Sequence, residues 1–249
     1  MGGPTGVNGS VDLRDANALV TGAGGDIGRA VARALSELGA TVALVGRTTR
    51  TLEATAAVLP GPSHVLAVDL SDDDAVRSLL TSSGALFADE LDVLVHCAGT
   101  YGRGPMDQAS LGAFDDLYDA NVRAPYHLTQ ALLPSLKRQR GQVVFVNSTQ
   151  GLAASEGVGQ FAATQHALKA VADSLRAEVN AAGVRVLTLH VGRTASGRQA
   201  AIFADEGRPY EPELLLQPSD VATMIASCLT LPRSAEVTTL TIRPLLKTY

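Results

Sequence analysis

The chain has 249 residues, 46% hydrophobic and 18% charged, the composition of a folded domain with a sizeable core rather than of a disordered segment. Its net charge of −5 argues against nucleic acid as the main partner, because a phosphate backbone selects a basic face. Cys97 and Cys228 make neither a disulfide framework nor a metal-ligand set, and no apolar run reaches the roughly 20 residues of a membrane helix, so a cytoplasmic protein without metal or membrane partner is expected.

The opening residues MGGPTGVNGS carry neither the basic start nor the apolar stretch of a secretory signal. Residues 1–12 are therefore expected to form a flexible tail before one domain over 13–249. From there short β-branched runs alternate with longer helical segments. Strands are expected at 16–20, 41–45, 65–68, 93–96, 142–147, 184–190 and 237–242. Helices are expected near 27–38, 51–59, 72–80, 111–138, 159–182 and 219–230. Ser71 with Asp74 three residues on suggests a capping-box variant for the third helix. This alternation predicts an α/β fold of the Rossmann type, a doubly wound parallel sheet of about seven strands with helices on both faces. Residues 196–217, polar and holding two prolines, break the alternation and read as a substrate loop or lid.

After the first strand comes Thr21-Gly22-Ala23-Gly24-Gly25-Asp26-Ile27-Gly28. A glycine-rich turn from strand to helix brings backbone N–H groups up to a pyrophosphate at the positive helix end. Its place in a βαβ unit is the context that gives such a turn weight. The second strand ends in Gly46-Arg47, which offers no carboxylate for a free ribose and a guanidinium for a 2′-phosphate. NADP(H) is thus favoured over NAD(H).

The turn resembles the TGxxxxxG motif of the short-chain dehydrogenase/reductase family, and the resemblance extends from Asp15 to Thr248. That family has glycine at the position of Asp26, where a positive φ is often needed, and Asp26 is read as capping the helix in preference to repelling phosphate. The resemblance implies adenine contacts from Asp69 and Leu70, and backbone contact with the cofactor at Cys97, Ala98 and Gly99. In His96-Cys97-Ala98-Gly99 both asparagines of the family's element are replaced. It further implies cofactor contacts from Gly192, Thr194 and Ser196.

Family members reduce carbonyls with Asn, Ser, Tyr and Lys. Asn121 and Ser148 match the first two. Thirteen residues after the serine the family has Tyr, and four later Lys; here Phe161 and Gln165 stand at those places. Phenylalanine has no hydroxyl, and a neutral amide bonds ribose but cannot depress a pKa. General acid–base catalysis is worth about 10²–10⁴-fold, so ordinary reduction should be severely weakened. Lys169 lies about 6 Å further along the helix by its rise, too far to substitute. His166 is read as packing or surface, Tyr101 as a surface tyrosine or a pocket hydroxyl, and His190, ending the sixth strand, as a buried residue or a substrate contact.

Three functions fit. The first is an atypical enzyme binding NADP(H) and a small carbonyl or polyketide-like metabolite, running an altered redox step or a dehydration, isomerisation or cyclisation. The second is a catalytically silent subunit in a hetero-oligomer with an active reductase. The third is an ordinary ketoreductase carrying inactivating substitutions. A homodimer or homotetramer is expected, with Leu128, Leu132 and Leu133 on one helix and Leu168, Val171 and Leu175 on the next as apolar faces.

Overall fold

The computed structural model describes residues 9–81 and 90–246; most of the expected tail, residues 1–8, lies outside the described residues, as does the end from 247. The seven strands are β1 (Asn17–Thr21), β2 (Thr41–Gly46), β3 (Ser63–Ala67), β4 (Val93–His96), β5 (Gln142–Ser148), β6 (Arg185–Val191) and β7 (Thr239–Ile242). They form one sheet in the order β3-β2-β1-β4-β5-β6-β7, and every pairing is parallel. Strand order reverses direction between β1 and β4, and a crevice opens beyond the carboxyl ends at such a point.

Among the described residues the α-helices are α1 (Asp26–Glu37), α2 (Thr49–Ala56), α3 (Asp73–Thr81), α4 (Leu111–Tyr118), α5 (Ala124–Gln139), α6 (Gly159–Val179), α7 (Gly197–Asp205) and α8 (Pro218–Leu229). Among the described residues no helix is long and apolar enough to cross a membrane. Strand side chains alternate between two cores, as the pleat requires. On one face Val20, Leu44, Val95 and Leu189 pack against Val31 and Leu35 of α1 and Val221 and Ile225 of α8. On the other, Leu19, Val45, Leu94 and Phe145 pack against Leu128, Leu132 and Leu136 of α5 and Leu168, Ala172 and Leu175 of α6.

This packing corrects the expected association faces. Leu128, Leu132, Leu168 and Leu175 are buried in the chain's own core, so they do not form an outward stripe. Three local expectations also change. The helix expected over 111–138 is interrupted by a π-helical turn, Asp119–Arg123. The cap of α3 is Asp72, whose carboxylate accepts from the N–H groups of Asp74 and Ala75; Ser71 instead donates to Asp69. The segment 196–217 is not a structureless loop, since it holds α7 and a 3₁₀ turn at Pro212–Leu214.

At the amino end of the sheet, away from the crevice, the Arg185 guanidinium donates to the carbonyls of Leu229, Leu231, Pro232 and Ala235 and to Gln142 Oε1. It ties β5 and β6 to the carbonyl end of α8, where a cation also complements the helix dipole.

Candidate functional site

A cleft of about 940 Å³ lies at the carboxyl ends of the strands, within the size range of cofactor sites. Its floor is the turn between β1 and α1. Gly22 has φ +65°, and a Cβ there would stand 2.7 Å from the Ala98 nitrogen; at Gly28 it would stand 2.2 Å from the Gly22 carbonyl oxygen. Only glycine lets the turn, the end of β4 and the start of α1 come this close. Thr21 Oγ1 fastens the junction by accepting from the N–H groups of Cys97 and Ala98.

The sequence-predicted cofactor residues largely converge here: Gly22, Gly25, Asp26, Ile27, Gly28, Arg47, Asp69, Leu70, Cys97, Ala98, Gly99, Gly192, Thr194 and Ser196 all line the cleft. Gly24 does not; its Cα faces the Thr51 side chain, where a Cβ would meet Oγ1 at 2.4 Å, so its smallness serves the packing of α2. Arg47 is exposed at the rim. Its charge helps hold the Asp69 carboxyl below its usual range, after the larger effect of hydrogen bonds from Ser71. Burial pushes the Cys97 thiol up to about 12, which keeps it protonated and unreactive.

Asp26 departs from its expected role. It does not occupy a positive-φ position, and α1 has Gly25 as its N-cap with no side-chain cap bond. Instead its carboxylate accepts from the backbone N–H of Gly197, 3.1 Å away, at the start of α7.

The catalytic candidates cluster at the other end. Asn121 sits in the π-helical turn, accepting from Thr100 N–H at 2.7 Å and donating to the Thr100 carbonyl and Thr164 Oγ1. Its amide is fully engaged in locking the loop after β4. Ser148 ends β5; its Oγ accepts from Gln150 N–H at 3.1 Å, leaving its own proton to give. Phe161 and Gln165 lie one turn apart on α6 and both line the cleft. The Gln165 side-chain oxygen accepts from Ser148 N–H at 3.1 Å, and its backbone carbonyl accepts from Asn147 Nδ2 at 2.9 Å.

His190 is fully buried and does not line the cleft; its Nδ1 lies 3.1 Å from the Ser148 carbonyl oxygen, so it supports the serine from behind. Lys169 is paired with Asp173 at 2.6 Å and also stands outside the cleft. His166 is exposed, its ring bonded to the Ala162 carbonyl. Tyr101 is half-buried and lines the cleft, so it belongs to the pocket and not to the outer surface.

Residues not singled out by sequence complete the wall. His96 is buried, stacked on Phe145 and bonded to Thr129 Oγ1 at 2.8 Å. Arg198 donates to the Gly99 carbonyl at 2.7 Å across the cleft. Gln199 lines the cleft at only 9% exposure, and its Nε2 has no partner among the described residues. The signal for these two was present: Ser196 with Gln199 three residues later has the spacing of a capping box, and Ser196 Oγ does accept from Gln199 N–H. Behind α7, Glu206 receives Arg193, Arg208 and Arg103 around one nearly buried carboxylate.

The chain resembles known proteins along nearly its whole length. A family model described as short chain dehydrogenase matches residues 16–207. An uncharacterized oxidoreductase of Staphylococcus epidermidis is 28% identical over 237 residues, covering 93% of this chain and 98% of the relative. A solved short chain dehydrogenase/reductase family protein superposes with TM-score 0.82 at 28% identity, covering 93% of this chain and 97% of that one. A metagenomic short-chain oxidoreductase solved in complex with NADP superposes with TM-score 0.80 at 27% identity, covering 95% and 100%. The parallel seven-stranded sheet, the glycine turn at its switch point and these matches agree: the chain belongs to the short-chain dehydrogenase family.

Proposed function

We propose that the protein binds NADP(H) and acts on a small carbonyl or polyketide-like metabolite with an atypical active site, in an altered redox step or a non-redox dehydration, isomerisation or cyclisation. The observation that carries this reading is the pairing of a retained cleft with Phe161 and Gln165 in its wall, at the places where the family keeps Tyr and Lys. The fit of a dinucleotide rests on Gly25, which lines the cleft and where a Cβ would meet the Gly22 carbonyl oxygen at 3.4 Å, on Arg47 at the rim for a 2′-phosphate, and on the first turn of α7. A metagenomic relative of 27% identity holds NADP, which supports the choice of ligand class.

The bound cofactor would supply hydride chemistry. The chain's own residues supply the rest. Ser148 Oγ–H donates to a substrate oxygen, Phe161 walls the pocket without a proton to give, and Gln165 fixes the end of β5 through Ser148 N–H. A proton therefore has to come from water, from the substrate or from another hydroxyl of the cleft such as that of Tyr101. A second reading, a silent subunit paired with an active reductase, is favoured by the same lack of a proton-giving group at 161.

Calorimetric titration of the purified chain with NADPH and NADH tests the cofactor, and turnover of a carbonyl panel tests the chemistry. NADPH binding with slow or absent ketone reduction is expected. Absence of binding to either nucleotide overturns the cofactor reading, and brisk ketone reduction by the lone chain overturns the atypical site.

A further inference from the structure

Asp26 is an acidic residue inside the glycine turn itself, where its charge opposes a dinucleotide's phosphates. Its position is unusual in two ways. It is the first residue of α1, beside the backbone N–H groups that attract an anion, and it lines the cleft. Its carboxylate also reaches the N–H of Gly197, the first residue of α7. One side-chain anion is thus shared by the positive ends of two helices, of 12 and 9 residues.

Other donors surround the same place. Arg198 lines the cleft beside Asp26, close enough for the carboxylate to favour its charged form, while burial acts the other way and more strongly. The neighbouring Gln199 amide is nine-tenths buried and its Nε2 has no partner among the described residues. A buried donor left unmade costs free energy, so Gln199 is poised for an acceptor that enters the cleft.

We propose that Asp26 is a resident anion that competes with the pyrophosphate of an incoming nucleotide for the seat between α1 and α7, and so sets the affinity of the site. The proposal rests on the nucleotide-binding reading given above. An incoming diphosphate meets a like charge at the helix ends and must take the Gly197 N–H from Asp26. Ligands that fill the adenine end without phosphates escape this cost. Asp26 is thereby a specificity-determining residue, selecting against phosphate at a turn that otherwise attracts it.

The test is calorimetry on the full chain and on Asp26→Asn and Asp26→Gly, with inorganic pyrophosphate, ADP, adenosine and NADPH as titrants. Removing a unit charge within a few ångströms of a phosphate is expected to tighten pyrophosphate, ADP and NADPH by roughly tenfold or more, while adenosine is unchanged. Hydrogen exchange at Gly197 without ligand should quicken in Asp26→Gly, which removes the acceptor. Equal gains for adenosine and ADP, or no gain for pyrophosphate, overturns the proposal. Tighter pyrophosphate with no NADPH binding by any form keeps it and retires the cofactor reading instead.

Discussion

The ring of Tyr101 stands edge-on to the ring of Phe161, with centroids 5.0 Å apart and planes at 63°. An aromatic ring at 161 therefore has a packing partner in the cleft wall that does not depend on a hydroxyl. Burial raises the Tyr101 phenol pKa, with Arg103 pulling in the opposite direction, so Tyr101 is a neutral phenol held at the rim.

On the proposed reading, the same geometry lets the family's acid and cation be returned to the cleft wall. The double variant Phe161→Tyr, Gln165→Lys keeps the ring in place and returns an acid and a cation. NADPH-dependent ketone reduction, followed by loss of nicotinamide absorbance, is expected to rise by about 10²–10⁴-fold. A flat response would show that the barrier lies elsewhere in the cleft.

Arg47 should decide between the two nicotinamide cofactors. A charge-assisted bond to a phosphate is worth about 1.5–3 kcal/mol, so Arg47→Glu is expected to weaken NADPH binding by roughly 10- to 100-fold. NADH affinity should hold or improve, because a carboxylate accepts from a free ribose. Parallel titrations of both nucleotides read the ratio, and an unchanged ratio would mean that Arg47 is only a solvated rim residue.

His96 should make stability fall in mild acid. Burial pushes its imidazole down to about 3 from an ordinary 6.5. Below 6.5 the unfolded chain takes up a proton that the folded chain refuses until about 3, so stability is lost as pH falls through that window. The loss from this group between pH 7 and 5 is roughly 1–2 kcal/mol. Urea denaturation of the wild type and His96→Asn across that range should differ by this slope, and parallel curves would refute it.

Glu206 should hold α7 in place. Hydrogen bonding from Arg193, helped by Arg103, keeps its carboxyl below the usual glutamate range although burial acts against this. Its contribution is present above that range and is lost as pH falls through the depressed folded value. Glu206→Gln leaves the arginines around a neutral group and is expected to cost roughly 1–3 kcal/mol, discounted for their partial exposure. Hydrogen exchange across Gly197–Asp205 reads the effect, and protection equal to that of the wild type would exclude it.

Strands β1, β2, β4, β5 and β6 were legible as short apolar runs buried on both faces, and the partly exposed edge strands β3 and β7 from the alternation of short apolar runs with helices. The π-helical turn was not, since residues 119–123 suit an ordinary helix; the bulge accompanies the bonds that Asn121 makes to Thr100, 21 positions away. Helix α7 was hidden by the polar, proline-holding segment in which it lies, although Ser196 and Gln199 carried its cap. The expected cofactor residues at the cleft came from the glycine turn and from the family resemblance at the strand ends. The partner of Asp26 lies 171 positions along the chain, and no local pattern reports such a meeting.

Arg185 bears on how such a protein can change its trade. Its guanidinium rivets the foot of the sheet to the tail of α8 through backbone oxygens, which any side chains would provide. The foundation is therefore bolted down independently of whatever lines the mouth. Replacements at the mouth then alter the reaction without loosening the building, and a lineage is free to trade one catalytic repertoire for another on an unchanged frame.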